Sequence, residues 1–174
     1  MQFKYRLRKH EEILEVLRSV KGPVLDIGCG ENPLGDVNVD VVKYGHGNVV
    51  CDLQKEKLGY PARSFGAIVL SDSLEHIKNP RAVFRECHRL LKDNGKLIVT
   101  IPNCGNLLHR VGIWKDEPIT GNPHVNSWTR KSFVEFLHSC NFMVENVKGT
   151  YYKRGRLYAY FDPFCLLFVS RKRL

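Results

Sequence analysis

The stretch Val24-Leu25-Asp26-Ile27-Gly28-Cys29-Gly30 constrains the chain more than any other. A short apolar run that closes on an acid and a two-glycine turn reads as the buried central strand of a parallel sheet. The glycines let a ligand lie directly against the backbone at the strand's carboxyl end, where open α/β sheets bind their ligands. Glu31-Asn32-Pro33 follow the turn, so it lacks the G-x-G-x-x-G spacing that seats a pyrophosphate between glycines and a helix start. A nucleoside fits this turn better than a dinucleotide.

Two further acids repeat the pattern. Asp36 to Val42 alternates polar and apolar with period two and reads as a second strand with Asp40 near its end. Val49-Val50-Cys51-Asp52 reads as a third. In a parallel sheet Asp26, Asp40 and Asp52 then fall along one edge and line one cleft. Only nine residues (31 to 39) separate the first turn from Asp40, and eleven (41 to 51) separate Asp40 from Asp52. At least one of the helices after strands 1 and 2 must therefore be missing or reduced to a turn, which bares one face of the sheet. A second copy of the chain, another partner or the N-terminal helix could cover that face, and a homodimer is one expectation.

The rest of the chain supplies the remaining layers. Lys9 to Val20 reads as an amphipathic helix with Ile13, Leu17 and Val20 on one face beside His10 and Leu14, ended by Gly22-Pro23. Ala67 to Leu70 is a fourth strand opening into Ser71-Asp72-Ser73-Leu74-Glu75-His76. Asn79 and Pro80 start a helix carrying Val83, Cys87, Leu90 and Leu91, which Asn94-Gly95 ends. Lys96 to Ile101 is a fifth strand. Residues 103 to 128 show no period and read as a long loop, of the kind that is usually functional or mobile, holding His109, Trp114, His124 and Trp128. Thr129 caps a helix to Cys140, and Asn141 suits a left-handed exit. Phe142 to Lys148 and the continuously apolar Phe164 to Ser170 are then strands, expected as antiparallel neighbours with the last inside the sheet.

Composition excludes several classes. At 174 residues, 43% hydrophobic and 26% charged, the chain suits one globular domain, 1–174. It has no run of membrane-span length and no apolar leader, so a cytoplasmic location is expected. Its six cysteines are scattered without a C-x-x-C pair, which argues against a disulfide framework or zinc ribbon; no metal is expected. The net charge of +9, concentrated at the two ends, suits a nucleic acid, an acidic surface or solubility and does not choose among them.

In order, Leu25-Asp26-Ile27-Gly28-Cys29-Gly30, Val39-Asp40-Val41, Cys51-Asp52-Leu53, Ser64 to Val69 with Leu74-Glu75-His76-Ile77, and Leu90 to Val99 running into Ile101-Pro102-Asn103 resemble a class I S-adenosylmethionine-dependent methyltransferase of the methyltransferase type 11 kind. The resemblance covers most of residues 20 to 103. It implies a Rossmann-like α/β fold with a mostly parallel seven-stranded sheet and an antiparallel last strand. S-adenosyl-L-methionine is the implied cofactor. Gly28, Cys29 and Gly30 would approach its methionine part, and Asp26 would support the turn or meet the amino group. Asp40 would accept from the ribose hydroxyls. Asp52 would meet the adenine amine with Leu53 against the ring, and Ser71 would close over the methionine chain. With the first helix shortened, backbone N–H groups of the loop that replaces it would receive the cofactor's carboxylate.

Methyl transfer from a sulfonium chiefly needs the acceptor positioned and, for some acceptors, a proton removed. His76 and His124 are the candidate catalytic residues, with His109, Glu75, Tyr151 and Tyr152 behind them. Ser71-Asp72-Ser73-Leu74 lacks the Pro-Pro-aromatic signature of amino-methylating nucleic-acid enzymes, and the surroundings of Cys104 do not match those of a cytosine-methylating nucleophile. A small-molecule acceptor is therefore expected. The alternatives are an RNA methyltransferase, or a non-catalytic cofactor-binding domain that regulates or scaffolds a partner.

Overall fold

The computed structural model describes residues 3–105, 124–150 and 165–173. Its strands are β1 (Val24–Ile27), β2 (Val37–Asp40), β3 (Val49–Val50), β4 (Phe65–Ser71), β5 (Leu91–Pro102), β6 (Phe142–Thr150) and β7 (Cys165–Lys172). They form one seven-stranded sheet in the order β3-β2-β1-β4-β5-β7-β6. The pairs from β3 across to β5 are parallel, and β7 runs antiparallel to both β5 and β6. The continuously apolar last strand thus lies inside the sheet, with Cys165 to Ser170 all buried. The expected mostly parallel sheet with an antiparallel last strand is what the chain forms. The polar connection read between the last two strands, like His109, Trp114, Tyr151 and Tyr152, lies outside the described residues.

Among the described residues three α-helices flank the sheet: α1 (Phe3–Leu17), α2 (Pro80–Leu90) and α3 (Arg130–Ser139). On one face, Val83, Phe84 and Cys87 of α2 and Phe133, Phe136 and Leu137 of α3 pack on Ile68, Leu70, Leu97, Val99, Ile101 and Phe168. Alternation along the strands sends Val69, Ile98 and Leu167 to the opposite face, where Ile13 of α1 meets them. The N-terminal helix therefore covers the middle of the face that the short connections leave bare. At its edge Val41, Val42, Val49 and Val50 stay exposed. No helix among the described residues is long and apolar enough to cross a membrane.

Helix ends follow local chemistry in two cases and tertiary pairing in a third. The Asn79 side chain accepts from the Ala82 N–H with Pro80 at the first helical position, and Thr129 and Ser132 form a reciprocal capping box. Asn141 leaves α3 at φ +62°. By contrast α2 stops at Leu90, short of the Asn94-Gly95 expected to end it, because Leu91 turns extended and pairs with Phe65 as the first residue of β5. The N-terminal helix also differs from its expected span, since it starts at Phe3 and ends before Val20, with Leu14 turned to solvent.

No helix interrupts the chain between β1 and β4, so the reduction read from the spacing is complete. Side chains take over the pairing of backbone groups that a helix would have done internally. Asp36 accepts from the Val24 N–H, and Asn38 both accepts from and donates to Gly35. The buried Asn48 accepts from the Tyr44 N–H at 2.7 Å and donates to the Val42 carbonyl at 2.8 Å.

Candidate active site

A cavity of about 580 Å³ opens at the carboxyl ends of β1, β2 and β4, within the range that holds small ligands and cofactors. All eight residues that the sequence assigns to the cofactor line it: Asp26, Gly28, Cys29, Gly30, Asp40, Asp52, Leu53 and Ser71. Gly28 and Gly30 have φ of +73° and +55°, which a side chain would strain. A Cβ on Gly28 would also come within 2.5 Å of the Ser73 side chain, whereas one on Gly30 would meet nothing within 4 Å. The turn is thus packed from behind at Gly28 and open at Gly30.

The turn is held through its own N–H groups. Gly28 and Cys29 donate to the Val39 carbonyl, and Gly30 donates to Asp40 Oδ2 at 3.0 Å. These three donors are therefore engaged within the fold. A cation stands nearby. Lys9 of α1, 6% exposed, lines the cavity and pairs with Asp72, which also accepts from the Thr100 hydroxyl. Neither Lys9 nor Asp72 carries a local sequence signal, because the pair joins residues 63 positions apart.

Each strand-end acid sits in a different environment. Asp26 is 2% exposed; its Oδ2 accepts from the Leu34 N–H at 2.9 Å, while Oδ1 is buried without a partner. Burial raises its carboxyl to a pKa of about 6, against the opposing pull of that hydrogen bond. Asp40 accepts one backbone N–H at each oxygen, Gly30 at Oδ2 and Val42 at Oδ1, and each oxygen keeps a lone pair for another donor. Asp52 accepts from Gln54, and its pKa is lowered chiefly by Lys55. Cys29 is no nucleophile, since burial beside Asp26 and Asp40 pushes its thiol up to about 11.

Beyond β4 the chain makes a turn of 3-10 helix over Leu74–His76. His76 lines the cavity, and the His124 ring stands edge-on to it with centroids 5.1 Å apart. Val125 and Asn126 donate their N–H groups to the Glu75 carbonyl, and Asn126 Nδ2 donates to that of Ile77. Glu75, His76 and His124 each offer a ligand atom within 4.8 Å of the others. Burial, helped by the nearby Asp72, raises the Glu75 pKa to about 7, and burial with the His76 charge lowers that of His124. Tyr44, also at the cavity and stacked on His46, was not singled out by the sequence because it sits in a loop without periodicity.

Residues 2–147 match the family described as methyltransferase domain. Among curated proteins, the mitochondrial ubiquinone biosynthesis O-methyltransferase of Rattus norvegicus is 29% identical over 161 residues, covering 74% of this chain and 46% of that protein. A probable S-adenosylmethionine-dependent methyltransferase of Mycolicibacterium smegmatis is 26% identical over 177 residues, covering 87% and 64%. The chain thus spans about half to two-thirds of the length of these relatives. Among solved structures, a SAM-dependent methyltransferase of Thermotoga maritima, described as a possible histamine N-methyltransferase, superposes with a TM-score of 0.74 at 16% identity, covering 95% of this chain and 88% of its own.

Proposed function

Since the chain belongs to the methyltransferase domain family, with S-adenosylmethionine as its cofactor, we propose that it catalyses methyl transfer to a small-molecule hydroxyl acceptor. One observation carries the reading: the glycine turn and three strand-end acids, separate in sequence, line a single cavity. Bound there, S-adenosylmethionine supplies a methyl group on a positively charged sulfur. The residues present fit it. Asp26 Oδ1 is a buried acceptor without a donor, suited to the amino group, and Lys9 is suited to the carboxylate. Asp40 keeps lone pairs for the ribose hydroxyls, Asp52 with Leu53 takes the adenine, and Ser71 with Ser73 borders the methionine chain, beside the Gly28-Cys29-Gly30 turn.

His76 and His124 stand past the end of β4, and we assign to them the handling of the acceptor's hydroxyl. The hydroxyl class is supported by the rat relative, whose name describes an O-methyltransferase. Calorimetry with S-adenosylhomocysteine tests the cofactor site: Asp40→Ala should weaken binding at least about 10-fold, or ~1.4 kcal/mol. Equal affinity in the variant would sink the assignment of Asp40. A screen of small hydroxyl acceptors, following a labelled methyl group, tests the reaction. Transfer to RNA alone, falling steeply with salt, would replace the acceptor class. Cofactor binding without transfer to either would favour the non-catalytic role.

A further inference from the structure

We propose that Glu75, His76 and His124 bind a divalent transition-metal cation of the zinc class at the wall of the cavity. Two imidazoles and one carboxylate, from two distant segments, each place a ligand atom within 4.8 Å of the others. Such a set favours zinc, cobalt, nickel or ferrous iron over magnesium and calcium, which prefer oxygen ligands alone. The sequence reading assigned no metal because no short spacing connects the three.

Two independent features support a cation here. Glu75 is 3% exposed, yet its Oε2 has no hydrogen-bond partner and no ion pair reaches it among the described residues. The neighbouring Asp72 is engaged by Lys9 and Thr100, so the strongest nearby countercharge is already shared with another acid. A buried carboxylate left in this way costs several kcal/mol unless a cation or donor meets it. Furthermore, three hydrogen bonds fasten the 124–126 segment to the turn that carries the other two ligands: Val125 and Asn126 N–H to the Glu75 carbonyl, and Asn126 Nδ2 to that of Ile77. These bonds and the edge-on contact of the two rings hold His124 beside His76.

Three protein ligands are the number found in catalytic zinc sites, which keep a position open. A cation held there would favour loss of the proton from an acceptor hydroxyl at neutral pH, a consequence that rests on the hydroxyl-acceptor reading above.

The test is a Co²⁺ titration of the metal-free protein, followed by visible absorption, with Zn²⁺ and Mg²⁺ as competitors. The expected result is one Co²⁺ per chain, displaced by Zn²⁺ and not by Mg²⁺, with binding at least 100-fold weaker in His124→Ala and in His76→Ala. His76 is exposed, so its variant should fold even if the His124 variant does not. Co²⁺ binding no tighter in the wild type than in His76→Ala, or displacement by Mg²⁺ at equal concentration, would overturn the proposal. S-adenosylhomocysteine calorimetry on the same protein separates the two readings. Cofactor binding without Co²⁺ binding removes the metal and leaves the cofactor site, and the converse does the opposite.

Discussion

Asp26 uses its two oxygens differently. One oxygen holds the Leu34 N–H, and the other is buried without a donor. The consequence for stability has a definite sign. The carboxyl titrates near 3.8 when unfolded and near 6 when folded, so the folded state holds the proton more tightly. Stability from this group is present below about pH 4 and is lost as pH rises through about 6, to a penalty of up to about 3 kcal/mol. Asp26→Asn keeps an acceptor for Leu34 and removes the charge. It should raise the urea midpoint at pH 7.5, show no such gain at pH 4, and weaken S-adenosylhomocysteine binding. A lower midpoint at pH 7.5 would refute the account. At this scale the sequence is informative where a residue closes a strand, because strand and acid are adjacent; Asp26, Asp40 and Asp52 were legible for that reason. Lys9, Asp72 and Tyr44 were not, since each reaches the cavity through contacts that no local pattern encodes.

At the scale of elements, the missing helices could be read by counting residues, but their replacement could not. Asn38, Asn48 and Asp36 bind the backbone across short turns, and no local pattern sets them apart from the other polar loop residues. Gly35 shows how tight the substitute is. A Cβ there would meet Asp26 N and Val37 O at 2.8 Å and Val24 O at 2.9 Å, all backbone atoms of β1 and β2. Gly35→Ala should therefore destabilise by about 2–4 kcal/mol, since no flexible side chain can move aside. Urea denaturation would check this, and an unchanged midpoint would count against the β1–β2 geometry. The end of α2 was misplaced for a related reason. Apolar periodicity carries Leu91 along with the helix, and only its pairing with Phe65 assigns it to the sheet.

For the molecule as a whole, the two sides of the sheet are built differently. β1, β2 and β3 have four, four and two residues and no intervening helix, whereas β5, β6 and β7 have twelve, nine and eight and carry α2 and α3 over a phenylalanine-rich core. The overall topology was readable because order and direction follow from spacing and continuous apolarity. Local stability was not, since it depends on how much apolar area covers each strand. Amides in 28–64 should exchange with solvent faster than those of β4, β5 and β7, and slow markedly when S-adenosylhomocysteine binds. Hydrogen-exchange mass spectrometry checks this, and equal protection on both sides would refute it. At a hundredfold excess over Kd the ligand adds about 2.7 kcal/mol to whatever it closes.

On the proposed site, the helix-free stretch from Gly28 to Ser64 gives the bound cofactor a part in holding the fold. Proteases attack the open form, so the lifetime of this chain in a cell should lengthen as cofactor supply rises and shorten as it falls. On that proposal, a site assembled from loops couples the abundance of the protein to the supply of the metabolite it binds.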